Sequence, residues 1–69
     1  MSSLTIFLNG KPLPISPGQT VSDLLQQLGL TEQRVAVEVN RCIVVRSQHA
    51  STLLKPEDRV EIVRAIGGG

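Results

Sequence analysis

The chain has 69 residues, 41% of them hydrophobic and 19% charged, and its seven basic and six acidic side chains leave a net charge of +1. A chain of this length holds one domain and one small core and buries only about 60% of the surface its unfolded form exposes, which argues against a deep catalytic cleft. Scattered charge and a single aromatic, Phe7, offer neither a basic stripe nor a stacking platform for nucleic acid; one cysteine, Cys42, excludes an intrachain disulfide and a multi-cysteine zinc site.

Met1-Ser2-Ser3 has no basic region, and the apolar run Leu4 to Leu8 is far too short for a signal or a membrane span. A cytoplasmic protein is expected, in keeping with cysteine usage that suits a reducing compartment. Leu4, Ile6 and Leu8 alternate with Thr5 and Phe7, and Asn9-Gly10 follows at once, the strongest short-range signal for a two-residue hairpin turn. The return strand, Lys11 to Ile15, carries Pro12 and Pro14. Residues two apart turn their backbone nitrogens to the same side, so this strand belongs at a sheet edge with its proline side facing away from its partner. Such an edge also discourages pairing between copies, and the free chain is expected to be a monomer.

Ser16-Pro17-Gly18 reads as a turn, and Thr20 with Asp23 three residues on resembles a capping box with aspartate in place of glutamate. A helix is predicted from Val21, with Val21, Leu24, Leu25 and Leu28 forming one apolar stripe and Gly29 supplying the left-handed residue that ends it. Val35, Val37 and Val39 then alternate with Ala36 and Glu38, and a turn at Asn40-Arg41 leads into a short strand, Cys42 to Val45. Arg46 to Leu54 has no clean period, and Leu53 and Leu54 are both expected to plug the core. Lys55-Pro56-Glu57-Asp58 reads as a turn. A last strand is predicted over Arg59 to Ile66, with Arg64 on the apolar side of its alternation, where it emerges past the core.

The order strand, strand, helix, strand, strand, strand gives an α+β domain in which one helix covers one face of a mixed sheet of four to five strands. That is the β-grasp arrangement. It is expected to span residues 1–66, leaving Gly67, Gly68 and Gly69 as a flexible tail with no side chains and wide backbone freedom. Such a tail fits a narrow channel. Its carboxylate, a group that ordinarily titrates at roughly pH 3.3 to 3.7, is ionised near neutrality and is able to attack the α-phosphate of ATP, giving an acyl adenylate with pyrophosphate as leaving group. A β-carbon would crowd both the channel and the approach to the terminal carbonyl.

With the ending Ala65-Ile66-Gly67-Gly68-Gly69, the helix entry Gln19-Thr20-Val21 before Leu24-Leu25, and this order of elements, the chain resembles the ThiS family of ubiquitin-like sulfur carriers of thiamine biosynthesis over essentially its whole length. The diglycine end is the specific part; the third glycine is read as extra reach. The resemblance implies a protein cosubstrate and not an enzyme. An adenylating enzyme related to the ubiquitin-activating enzymes would use ATP and magnesium on Gly69, and a sulfur donor such as a cysteine desulfurase would turn the adenylate into a thiocarboxylate. Thiazole synthase would then receive the sulfur. In this reading Gly67 and Gly68 lead Gly69 into the partner's channel, no cofactor or metal is bound by the chain itself, and neither nucleic acid nor membrane is a partner.

Phe7 and Val63 are expected on the sheet face opposite the helix, either as a docking patch for partner enzymes or as ordinary exposed apolar residues. Arg64 is read either as a partner contact near the tail or as a solvated strand-end arginine. Cys42 is read as a small packing residue and His49, in Ser47-Gln48-His49, as a surface residue. No Ser/His/Asp set, metal-ligand cluster or phosphate-cradling loop is apparent. The rival readings are a molybdopterin synthase small subunit, which uses the same thiocarboxylate chemistry but has a longer chain with a proline near its glycines, a ubiquitin-like modifier, and a plain interaction module.

Overall fold

Two hairpins flank one helix, and the last strand enters the sheet between them. The computed structural model describes residues 3–31 and 34–64. Its elements are β1 (Leu4–Leu8), β2 (Lys11–Ile15), α1 (Val21–Gln27), β3 (Val35–Val39), β4 (Cys42–Val44), a 3-10 turn (Arg46–Gln48) and β5 (Arg59–Arg64). Of the span Arg59 to Ile66 expected for the last strand, Ala65 and Ile66 lie outside the described residues, as does the Gly67–Gly69 tail. Strand β4 is one residue shorter than expected because Val45 already opens the 3-10 turn, its carbonyl accepting from the Gln48 amide at 2.8 Å.

The sheet has five strands in the order β2-β1-β5-β3-β4. Strands β1 and β5 are parallel and every other pair is antiparallel. This is the mixed α+β β-grasp sheet that the order of elements predicts. Both hairpin turns place two residues at positive φ: Asn9 and Gly10 at 49° and 85°, Asn40 and Arg41 at 52° and 69°. That pattern matches the twist of the strands they join. Strand β2 lies at the edge, and Pro12 and Pro14 pair in register with Phe7 and Thr5 while Lys11, Leu13 and Ile15 face Leu8, Ile6 and Leu4.

Helix α1 begins as its sequence dictates. The Thr20 hydroxyl accepts from the Asp23 amide at 3.2 Å and the Asp23 carboxylate accepts from the Thr20 amide at 3.0 Å, a reciprocal capping box. At its other end Gly29 adopts φ 74°, and the Leu30 and Gly29 amides donate to the Leu25 and Gln26 carbonyls at 2.8 and 3.1 Å, which closes the helix as a Schellman motif. The stripe Val21, Leu24 and Leu25 is buried against Ile6, Ile15, Val37, Val44, Leu54 and Val60. Of the two leucines expected to fill the core, only Leu54 does so; Leu53 is 52% exposed. Neighbours on an extended chain point to opposite sides, and Leu54 is the one turned inward while its amide donates to the Gln19 carbonyl at 2.9 Å. No helix among the described residues is long and apolar enough to cross a membrane.

Leu24 is completely buried in this core, so Leu24→Ala removes packing that the small domain cannot replace. The expected cost is about 2–5 kcal/mol, read as a fall of about 10 °C or more in the thermal unfolding midpoint. A fall of only a degree or two would show that α1 does not anchor the core.

Candidate functional site

Strand β5 carries Val63 and Arg64 of the residues singled out in the sequence, and backbone interactions fix that strand against β1. The Glu57 amide donates to the Thr5 carbonyl at 2.7 Å, Phe7 donates to Asp58 at 2.9 Å, and Asn9 donates to Val60 at 2.9 Å. Here β1 ends, because Asn9 has turned into the left-handed region. Its side chain continues the ladder: the Ile62 amide donates to Asn9 Oδ1 at 3.0 Å and Asn9 Nδ2 donates to the Ile62 carbonyl at 3.4 Å. The carboxamide thus stands where the next peptide group of β1 would have been.

A second asparagine works from the other hairpin. The Arg59 amide donates to Asn40 Oδ1 at 2.9 Å, the Asn40 amide donates to the Arg59 carbonyl at 2.7 Å, and Asn40 Nδ2 donates to Asp58 Oδ1 at 2.9 Å. Asp58 is buried, and its other oxygen accepts from the Lys55 amide at 2.8 Å. This carboxylate closes the Lys55–Asp58 turn, in which the Asp58 amide also donates to the Lys55 carbonyl at 3.1 Å. The sequence marks Asn9 and Asn40 as turn residues but hides this second role, since the carbonyl that Asn9 holds lies 53 residues away.

Strand β5 therefore leaves the middle of the sheet held on both sides as far as Ile62, and along β3 as far as the Val35–Arg64 pair. Val60 and Ile62 lie on the helix side, Val60 buried and Ile62 half-buried. By the same alternation Arg59, Glu61 and Val63 lie on the opposite face. Val63 is 62% exposed and Phe7, on that face of β1, is half-buried. The two share a face without touching in register: Phe7 stands beside Arg59, four residues before Val63 on β5, a distance of about 13 Å along a strand. Arg64 lies on the helix side, exposed, at the rim of an apolar hollow of about 300 Å³ bordered by Leu8, Leu28, Leu30, Val35 and Ile62. Gly67, Gly68 and Gly69 lie beyond the described residues.

Two further expectations need correction. Cys42, read as a packing residue, is exposed, because it opens the edge strand β4 next to the hairpin turn. His49, read as a surface residue, is half-buried. Its Nε2 lies 3.0 Å from the Val44 carbonyl, and as a carbonyl only accepts, that nitrogen carries the proton. The His49 carbonyl accepts from the Ser22 amide at 2.9 Å, so the residue ties the 3-10 segment to the start of α1.

Against the known protein families, the profile of the ThiS family matches residues 6–69, reaching through the glycine end. This chain belongs to the ThiS family. It is 32% identical over 66 residues to the sulfur carrier protein ThiS of Escherichia coli K12, an alignment that covers 96% of this chain and 100% of that protein. It is also 39% identical over 66 residues to a thiazole synthase of Magnetococcus marinus; there it covers 96% of this chain but spans only 20% of the relative's length. Among solved structures, the thiamine biosynthesis protein ThiS of Geobacter metallireducens superposes with a TM-score of 0.83 at 30% identity, covering 96% of this chain and all of that one. In the Magnetococcus relative, then, a ThiS-like segment is part of a thiazole synthase polypeptide.

The Asn9 clamp is open to a clean test, because Asn9→Gly keeps a residue suited to the left-handed turn while deleting the carboxamide. Stability is expected to fall by about 1–2 kcal/mol, and the Ile62 amide to exchange its hydrogen at least about tenfold faster while the Val37 amide changes no more than the global stability requires. Equal acceleration at both amides would show that the clamp has no local effect.

Proposed function

We propose that this chain, a ThiS-family sulfur carrier of thiamine biosynthesis, works as a protein cosubstrate whose reacting group is the Gly69 carboxylate. An adenylating enzyme related to the ubiquitin-activating enzymes supplies the ATP and magnesium site. A Gly69 oxygen attacks the α-phosphate of ATP, pyrophosphate leaves, and an acyl adenylate forms. The terminal sulfur of a persulfide, supplied by a cysteine desulfurase, attacks the terminal carbonyl and AMP leaves; a thiol then attacks the donor's own sulfur in the acyl disulfide, forming a disulfide with the donor and releasing the thiocarboxylate. Its softer sulfur is the better nucleophile, and thiazole synthase is the acceptor.

The observation that carries this reading is the family match running through Gly67, Gly68 and Gly69, which follow in sequence a strand clamped in the middle of the sheet. The thiazole synthase relative that contains a ThiS-like segment supports the choice of acceptor. The body of the carrier needs no cleft. Its tasks are to be recognised by its partners and to deliver a tail without side chains to their active sites.

Removing Gly69 is expected to abolish thiazole formation in a reconstituted system containing the adenylating enzyme, the sulfur donor and thiazole synthase, while leaving the unfolding midpoint within about 2 °C. Thiazole formation that persists at the unmodified rate would place the sulfur somewhere other than Gly69. The sheet face is assigned to docking on the adenylating enzyme. Phe7→Ser is expected to weaken that complex by about tenfold or more with an unaltered fold, measured by titration calorimetry; unchanged affinity would remove Phe7 from the interface.

A further inference from the structure

The core is left open at the end of the sheet where β5 stops. Leu8, Leu28, Leu30, Val35 and Ile62 pack against the buried core but are each only half-buried, and together they line the hollow of about 300 Å³ rimmed by Asn9 and Arg64. The polar groups of this rim need no further partner. Both the oxygen and the nitrogen of the Asn9 carboxamide are engaged by the Ile62 backbone, Arg64 is exposed to water, and among the described residues no buried side-chain nitrogen or oxygen lacks a hydrogen bond. An apolar occupant suits such a hollow, and a polar one would lose its water there without gaining a partner.

The chain itself supplies the occupant. The ladder between β3 and β5 runs as far as the Val35–Arg64 pair, and both of those residues border the hollow, so the segment outside the described residues starts at its rim. That segment is Ala65, Ile66 and three glycines, and Ile66 is its one large side chain. Alternation puts Ile66 on the same side of the chain as Val60, Ile62 and Arg64, toward the helix. Two residues advance a strand by about 7 Å, which keeps Ile66 within reach of the hollow that Arg64 borders.

We propose that Ile66 seats in this hollow in the free chain and so fixes the root of the glycine tail. Burial of the isoleucine side chain offsets the entropy of ordering two residues, whereas Gly67, Gly68 and Gly69 have no side chain to bury and gain nothing by following it. With Ile66 seated, the glycines reach at most about 10 Å beyond it; with Ile66 loose, the five residues after Arg64 sweep a radius of about 17 Å. The shorter root confines the Gly69 carboxylate to fewer positions and raises the share of encounters in which it enters a partner's channel. The seat stands independently of the carrier reading, and its benefit to the chemistry of Gly69 rests on that reading. Ile66 is here a positioning residue, and Gly69 remains the reacting one.

Nuclear magnetic resonance on the full free chain tests the seat. Cross-relaxation is expected between the Ile66 methyls and those of Leu28 or Leu30, with a backbone order parameter near 0.8 at Ile66 that falls below 0.6 by Gly68. Ile66→Ala is expected to lose the order at position 66 and to lower the unfolding midpoint by about 3–6 °C, and Ile66→Val to keep both. Ile66→Ala is also expected to lower kcat/KM for adenylation about fivefold or more while affinity for the adenylating enzyme is unchanged. Ile66 methyls that contact neither leucine, or do so only at concentrations where a second copy is bound, overturn the proposal. An Ile66→Ala chain with an unchanged midpoint and weakened affinity overturns it too, by making Ile66 a partner contact, and an unchanged kcat/KM removes the positioning role. Failure of the carrier reading shows separately, as a wild-type chain that keeps the Ile66 contacts and is never adenylated.

Discussion

Strand β5 is the last in sequence and the innermost in space, and the rest of the fold depends on how it is held. It lies between β1 and β3, so neither hairpin completes its own side of the sheet until the C-terminal strand arrives. Its parallel register with β1 is only two residues long, Phe7 with Arg59 and Leu8 with Val60. The contacts that extend it come from turns: the Glu57 amide on Thr5, the Asn40 side chain on Arg59, and the Asn9 side chain on Ile62. Such pairing closes a loop of about fifty residues, whose entropic cost must be met before the contacts form. The buried Asp58 carboxylate belongs to the same arrangement, joining the Lys55–Asp58 turn to the second hairpin.

This placement suits a carrier. Strand β5 has neighbours on both sides as far as Ile62 and β3 beside it as far as Arg64, and two asparagines stiffen that platform. The domain behind that platform is too small for a cleft, and the reactions proposed for Gly69 draw ATP, magnesium and sulfur from partners. What is left for the folded body is recognition. The face opposite the helix, with its exposed Ile43 and Val63 and with Glu38 opposite Glu61, differs in chemistry from the hollow rimmed by Arg64 on the helix side.

Much of the fold was legible because its signals are local. Asn9-Gly10 names its turn, Pro12 and Pro14 name an edge, Thr20 with Asp23 caps a helix, and Gly29 ends it; each effect acts within a few residues. What local rules do not reach is set by residues distant in sequence. The amide of Asn9 reads as a turn former, and only the arrival of Ile62 beside it turns it into a clamp. The same limit explains Leu53 and Leu54, since two adjacent leucines look equivalent until backbone pairing decides which points inward. Cys42 is exposed because β4 is an edge, and His49 is half-buried because α1 packs nearby. The candidate site was legible in the opposite way. Its glycines carry no side-chain pattern, and they gained meaning from their position after the last strand.

The central question is whether Gly69 takes up sulfur, and intact-protein mass spectrometry answers it most directly. The chain is incubated with ATP, magnesium, the adenylating enzyme and a persulfide donor, beside a chain lacking Gly69. A sulfur carrier exchanges one terminal oxygen for sulfur, and the shortened chain does not. A mass that stays constant with competent partners would contradict the assignment and leave a β-grasp interaction domain in its place.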